Sequence, residues 1–290
     1  MTITHTPETT RTTAFAPLVP TITVPPTKIA DETWIIHQVQ EALGQPLHVF
    51  LNSMVIRGAE PVIVDTGTPA NRQQWMEDVF ALVEPADVRW IFLSHDDVDH
   101  TGNLDETLAA CPNATLVCNW AMVERHSNCF DFPLPRCRWV MHGESFDAGD
   151  RTLHAIRPPV FDSPTTRGLY DPTTKVYWAV DTFATPLPDH QLGIADLDEE
   201  FWRFGLTLFA LGAVSPWLSM TDPVKYDRHV DLTQQLDLTT IACCHSPVIE
   251  GDYIAKAFDV VRGLPTVDVP EMPNHSILEQ IVAATSLPPA

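Results

Sequence analysis

An α/β layered fold is predicted, on two observations. Between residues 61 and 126, short runs of β-branched and aromatic residues alternate with segments of helical spacing, giving strand, helix, strand, helix. One apolar run, Trp90-Ile91-Phe92-Leu93-Ser94, ends abruptly in His95-Asp96-Asp97-Val98-Asp99-His100-Thr101-Gly102. That is how a buried strand delivers a polar loop at its C-terminal end.

In chain order, residues 1–17 are rich in Thr and Pro and lack an apolar core, so they read as a disordered tail rather than a secretory signal. Strands are expected over 18–24 and 33–40. Segments 48–56 and 61–65 read as a hairpin around Arg57-Gly58-Ala59-Glu60, the second ending in Asp65-Thr66-Gly67. Trp75, Val79, Phe80 and Val83 set a helix over 72–83. The strand over 88–94 is followed by a helix over 103–110, a strand over 114–118, a helix over 120–126 and a loop over 128–135. Strands over 139–142 and 152–157 flank a turn at 147–150. A strand over 176–180 ends in Asp181, and one over 238–244 ends in His245. Helices are expected over 196–211, 222–236 and 252–262. A Pro-rich connector (263–273) and a short amphipathic helix (275–285) complete the chain. The domain reading is a tail (1–17), a metal-binding domain (18–262) and a C-terminal connector with its helix (263–290).

A hydrophobic content of 44% is ordinary for a chain that buries a full core, and the formal charge of −21 argues against nucleic acid or an anionic membrane as partner. No apolar run is long enough to span a bilayer. The six cysteines include no Cys-x-x-Cys pair and read as reduced thiols of a cytoplasmic protein. Cys243 and Cys244 are adjacent on a strand, so they point to opposite faces and cannot both reach one metal.

Four side chains of the 95–102 loop can bind a metal: His95, Asp97, Asp99 and His100. Alternate spacing brings His95, Asp97 and Asp99 toward one small volume, while His100 can face a second. The pattern His-x-Asp-x-Asp-His-x-Gly resembles the signature of the metallo-β-lactamase superfamily, with Asp-Thr-Gly about thirty residues before it as support. Most of that superfamily carries histidine where Asp97 stands. A carboxylate there resembles the flavodiiron branch, which usually has glutamate and whose members hold two irons and reduce oxygen or nitric oxide.

The resemblance covers roughly residues 30–262 and implies a four-layer αββα sandwich. It also implies Asp65 as an orienting residue beside the metals, His245 as the last ligand, and a bridging role for Asp181. Arg157-Pro158-Pro159-Val160-Phe161-Asp162-Ser163-Pro164 lies where the family has Pro-x-x-His-Trp-Pro. Asp162 therefore stands in the place of a histidine ligand, nineteen residues before Asp181, as in the family. His154 is a rival for this position and His142 a weaker one. On this pattern His95, Asp97 and Asp162 hold one metal, Asp99, His100 and His245 hold the other, and Asp181 bridges.

Three imidazoles and four carboxylates favour Fe over Zn, with Mn also suited. Four carboxylates cancel two divalent ions, whereas the superfamily's two-zinc hydrolases keep the excess charge that acidifies water. Three functions are expected to compete. The first is a di-iron protein binding or reducing O2 or NO, with electrons from a separate partner protein because the family's flavin domain does not follow. The second is a metallo-hydrolase of an ester, lactone or thioester. The third is a non-enzymatic oxygen or redox sensor. A homodimer would follow the head-to-tail pairing common in the family.

Overall fold

The computed structural model describes residues 21–128, 130–191 and 193–285. The first sheet contains β1 (Thr21–Ala30), β2 (Thr33–Glu41), β3 (His48–Phe50), β4 (Ser53–Ile56), β5 (Val62–Val64), β6 (Trp90–Phe92), β7 (Thr115–Cys118) and β8 (Cys137–Trp139). Their spatial order is β1-β2-β4-β5-β6-β7-β8, with β3 paired to β2. The second sheet contains β9 (Ser145–Asp147), β10 (Thr152–Ile156), β11 (Gly168–Asp171), β12 (Val176–Trp178), β13 (Thr240–Ala242) and β14 (Ile249–Glu250), in the order β14-β13-β12-β11-β10-β9.

Alternation along the strands stacks these sheets. Val62 and Val64 of β5 face the space between the sheets, where they meet Val176 and Trp178 of β12. Ile63 points the other way, under Trp75 of α1 (Arg72–Phe80), Leu104 and Leu108 of α3 (Leu104–Ala110) and Met122 of α4 (Trp120–His126). Tyr177 of β12 likewise faces out, under Trp202 and Leu206 of α5 (Glu199–Leu208), Val230 of α6 (Pro223–Gln234) and Phe258 of α7 (Asp252–Gly263). The layers are helix, sheet, sheet, helix. Because both faces of each sheet are covered, the inner strands read as continuous apolar runs.

β5 to β8 run parallel, as do β12 and β13. The C-terminal ends of β5, β6, β12 and β13 release the segments carrying Asp65, His95, Asp181 and His245. Ligand sites of α/β sheets form at such ends.

Several elements differ from the sequence expectations. The tail call and residues 18–20 of the first expected strand lie outside the described residues. The expected strand over 48–56 breaks into β3 and β4, because Asn52 turns inward to donate to the carbonyl oxygens of Cys243 (3.0 Å) and Ser246 (2.9 Å). The strand expected at 139–142 is β8, closer to the N-terminus. β9, β11 and β14 were not expected; β14 has only two residues, and β11 contains Gly168 and Asp171, both poor strand formers. The helix expected over 196–211 starts at Glu199, where the Asp198 carboxylate caps it by accepting from the Phe201 N–H, and ends in a π-helical turn, Phe209–Val214. Helices over 275–285 and 252–262 stand close to where they were expected, as α8 (His275–Thr285) and α7.

The metal loop itself is a short helical turn, α2 (Val98–Thr101), rather than an extended loop. Gly102 follows it and donates its N–H to the Gly67 carbonyl (3.0 Å). A methyl group at Gly102 would collide with Pro69 and lie 2.6 Å from the Val98 carbonyl oxygen. Gly102→Ala is therefore expected to cost about 1–3 kcal/mol by overpacking. Urea denaturation measures this, and an unchanged midpoint would contradict so close a backbone approach.

Candidate metal centre

The site is built downward from Asp65. This residue sits in the left-handed region (φ 61°), where aspartate is better tolerated than most residues. Its Oδ1 accepts the Ser94 N–H (2.7 Å) and its Oδ2 accepts the Ser94 hydroxyl (2.6 Å). That hydroxyl has spent its one proton, so at its contact with His95 Nδ1 (2.9 Å) it can only accept. His95 therefore carries its proton on Nδ1, and the lone pair of its Nε2 is left free. That Nε2 is buried and has no hydrogen-bond partner. His245 reaches the same state by another route: its Nδ1 donates to the Phe50 carbonyl (2.7 Å), so its Nε2 also offers a lone pair. The outer hydrogen bonds thus leave two imidazoles with a free Nε2 lone pair, the state a metal ligand needs.

Asp181 lies between them. Its Oδ2 is 3.7 Å from His95 Nε2, and its Oδ1, which is buried and has no hydrogen-bond partner, is 3.4 Å from His245 Nε2. The residue before it, Val180, holds a φ of 56°, a strained conformation for a β-branched side chain. That kink takes the chain off β12 just before the carboxylate.

The helical turn α2 places Asp99 and His100 on one side. His100 Nε2 is 3.2 Å from Asp99 Oδ2 and 3.3 Å from His245 Nε2. Burial opposes charge on both residues, but their mutual attraction prevails. His100 is pushed up to about 9, and Asp99 is held well below the usual carboxylate range. A positive charge between Asp99 and His245 is therefore strongly favoured. Asp97 Oδ2 stands 3.9 Å from His95 Nε2 with its side chain 54% exposed. Desolvation and then the nearby Asp162 and Asp181 push Asp97 up to about 6, although His95 pulls the other way. Burial and the Asp181 charge also raise Asp162.

Asp97, Asp99, Asp162, Asp181 and His245 share one cavity of about 370 Å³. The structure thus brings together every side chain that the sequence analysis assigned to the two metals, with His95 and His100 fully buried beneath. His154 does not join them. With His142 and Tyr170 it lines a different cavity, against the second sheet. The orphaned imidazole and carboxylate atoms, and four carboxylates crowded into one cavity, fit a pair of cations. His95, Asp97 and Asp162 would hold one, and Asp99, His100 and His245 the other, with Asp181 facing both.

Three contributors were not foreseen. Asp96 points away from the cavity and is buried. Its Oδ2 accepts from Arg125 Nε (2.6 Å), and its Oδ1 accepts from the hydroxyls of Thr165 (2.7 Å) and Ser163 (3.2 Å). It thereby fastens the segment bearing Asp162 to the metal loop. Burial works against its ionisation, but the Thr165 bond and the Arg125 charge outweigh it. Phe209, in the π-helical turn, stacks on the His245 ring with centroids 5.2 Å apart. Cys243 and Cys244 point to opposite faces as expected, but the Cys244 sulfur lies among the His95, His100 and Asp181 ligand atoms. Burial, then the Asp181 and Asp65 carboxylates, keep it a protonated thiol. Asp96 lies inside the motif and Cys244 directly before His245, but no sequence signal marks Phe209, and the partners of all three lie tens of residues away.

Residues 49–207, more than half of the chain, match the family described as ODP family beta lactamase. The chain belongs to that family. Curated relatives of this ODP-family chain include the type A flavoprotein fprA of Rhodobacter capsulatus, 28% identical and aligned over 70% of this chain and 46% of the relative. The anaerobic nitric oxide reductase flavorubredoxin of Pectobacterium atrosepticum is 24% identical over 69% of this chain and 39% of the relative. Three other curated relatives are matched over only 27–53% of their own length. Among solved structures, the flavodiiron protein from Giardia intestinalis superposes with a TM-score of 0.70 at 16% identity, over 83% of this chain and 59% of that one. Rubredoxin oxygen:oxidoreductase from Desulfovibrio gigas gives the same TM-score and identity, over 82% and 60%. The fold is the metallo-β-lactamase sandwich in its flavodiiron form. Among the described residues, no helix is long and apolar enough to cross a membrane.

Ser94→Ala breaks the relay from Asp65 to His95 and is expected to lower metal affinity about 10–100-fold; titration against a competing chelator measures it. Elemental analysis should find metal in His154→Ala at the level of the unsubstituted protein, and less in Asp162→Ala. The reverse pattern would move the third ligand to His154. Asp181→Ala is expected to strip metal from both halves of the site, and retention of one full equivalent would remove its bridging role.

Proposed function

We propose that this chain forms a di-iron centre that binds or reduces O2 or NO, drawing electrons from a redox donor. The single observation that carries this reading is the charge of the donor set. Four carboxylates and three imidazoles line one small site, so two divalent cations leave it close to neutral. A hydrolytic site instead keeps excess positive charge to acidify water. Oxygen-rich ligation also favours iron over zinc. The flavoprotein and nitric oxide reductase names among the relatives support the same choice.

Bound there, two ferrous ions would supply the electron-transfer chemistry for a diatomic ligand. The remaining roles belong to the chain. Asp65 and Ser94 hold His95 in one tautomer, and the Phe50 carbonyl does the same for His245. Phe209 shields the His245 ring, and Leu51 and Val214 give the cavity apolar wall. Such walls suit a small uncharged ligand better than a charged ester product.

Anaerobic purification followed by elemental analysis is expected to find about two irons per chain, and an artificial donor should then support oxygen or nitric oxide consumption. Zinc in the site together with ester, lactone or thioester turnover would overturn the proposal in favour of a hydrolase. Full iron with oxygen binding but no turnover would favour a sensor.

A further inference from the structure

The metal cavity has a larger neighbour. A second cavity, of about 530 Å³, shares Ala42, Val49, Phe209 and Ala213 with it as common wall. Three stretches of chain build this chamber. The connection from β2 to β3 supplies Leu47, the end of α5 supplies Leu208, and the connector and α8 supply Met272 and Ile277. The last stretch is packed down as a roof over two glycines. A methyl group at Gly44, between β2 and β3, would lie 2.6 Å from Ile281 Cδ1, and one at Gly212, in the π-helical turn, would collide with Met272 Sδ. Asn274 fixes the start of α8 at the chamber's edge: its Oδ1 accepts the Ser276 N–H (3.0 Å) and the Ser276 hydroxyl (2.7 Å).

Size and lining say what the chamber suits. A diatomic gas is close in size to a water molecule, whose share of the liquid is about 30 Å³, so O2 or NO has no use for this space. Small organic molecules occupy sites of roughly 300–1,000 Å³ with mostly apolar walls. Among the described residues lining the chamber, the polar ones are Gln45, Asn274, Ser276 and one carboxylate, Glu271; none is a lysine, arginine or histidine. The four carboxylates of the metal cavity lie beyond the shared wall. An anion would find no positive side chain among these walls, and apolar surface does not repay the loss of its hydration.

We propose that this chamber binds an uncharged, largely apolar organic molecule, one end of which lies against the wall shared with the metal cavity. Leu47, Leu208, Met272 and Ile277 take up its body. Phe209 lines both cavities and stacks on the His245 ring, so the molecule's inner end sits one side chain away from a candidate ligand. The inference goes beyond the di-iron reading, since it places an organic molecule beside the centre that receives the diatomic one. Binding rests on the chamber's walls and does not depend on the chemistry assigned to the metals.

The test is calorimetric titration of the full metal-loaded chain with straight-chain primary alcohols from 1-butanol to 1-octanol. One saturable site per chain is expected, each added methylene tightening it about 4-fold. Octanoate, of the same length but negatively charged, should bind about 10-fold more weakly than 1-octanol, or worse. Leu47→Gln and Ile277→Gln, on two separate stretches of the wall, should each weaken 1-octanol about 10-fold while metal content stays unchanged. Absence of saturable binding, affinity that does not grow with chain length, or affinity indifferent to both variants would overturn the proposal. So would octanoate binding more tightly than 1-octanol, because its carboxylate would then sit on the metals. Binding is read without turnover, so a failed titration leaves the di-iron reading standing, and zinc in the metal site would leave the chamber standing.

Discussion

The structure depends on one constraint: four carboxylates, those of Asp97, Asp99, Asp162 and Asp181, face a single cavity. Like charges at such range cannot all stay ionised without compensation. The protein supplies part of it, through the ion pair of Asp99 with His100. Cations would supply the rest, and Asp181 is placed to face two of them, because its two oxygens face different imidazoles.

Around this centre the fold works mainly as a jig. Strand ends from both sheets arrive at one edge, and each arrival is tied to another. Asp65 holds Ser94, Asn103 donates to the carbonyls of Thr66 (2.7 Å) and Thr68 (3.1 Å), and Asn52 holds the segment bearing His245. Asp96 joins the metal loop to the Asp162 segment. These bonds hold side chains in the rotamer and tautomer that metal ligation would need. The backbone strain at Val180 belongs to the same arrangement, since the packed sheets around it hold a conformation it would not choose alone.

Much was legible in the sequence. Apolar runs ending in His, Asp and Gly marked the strand ends, because a strand buried on both faces must be apolar until it leaves the sheet. The residues of the 95–102 motif, with Asp65, Asp181 and His245, could be placed by pattern and resemblance. Strands without apolar character, such as β9 and β11, could not, because pairing to neighbours rather than composition makes them strands. The choice of Asp162 over His154 rested on the resemblance, which puts Asp162 at the family position and His154 eight residues before it; the packing of the second sheet turns Asp162 to the carboxylate cavity and His154 to a separate one. The sequence determines which chemical groups are present and where strands deliver them. Tertiary structure alone decided which way each faces, through hydrogen bonds such as Arg125 to Asp96 and Asn52 to Ser246, whose partners lie 29 and 194 residues apart, beyond any local pattern.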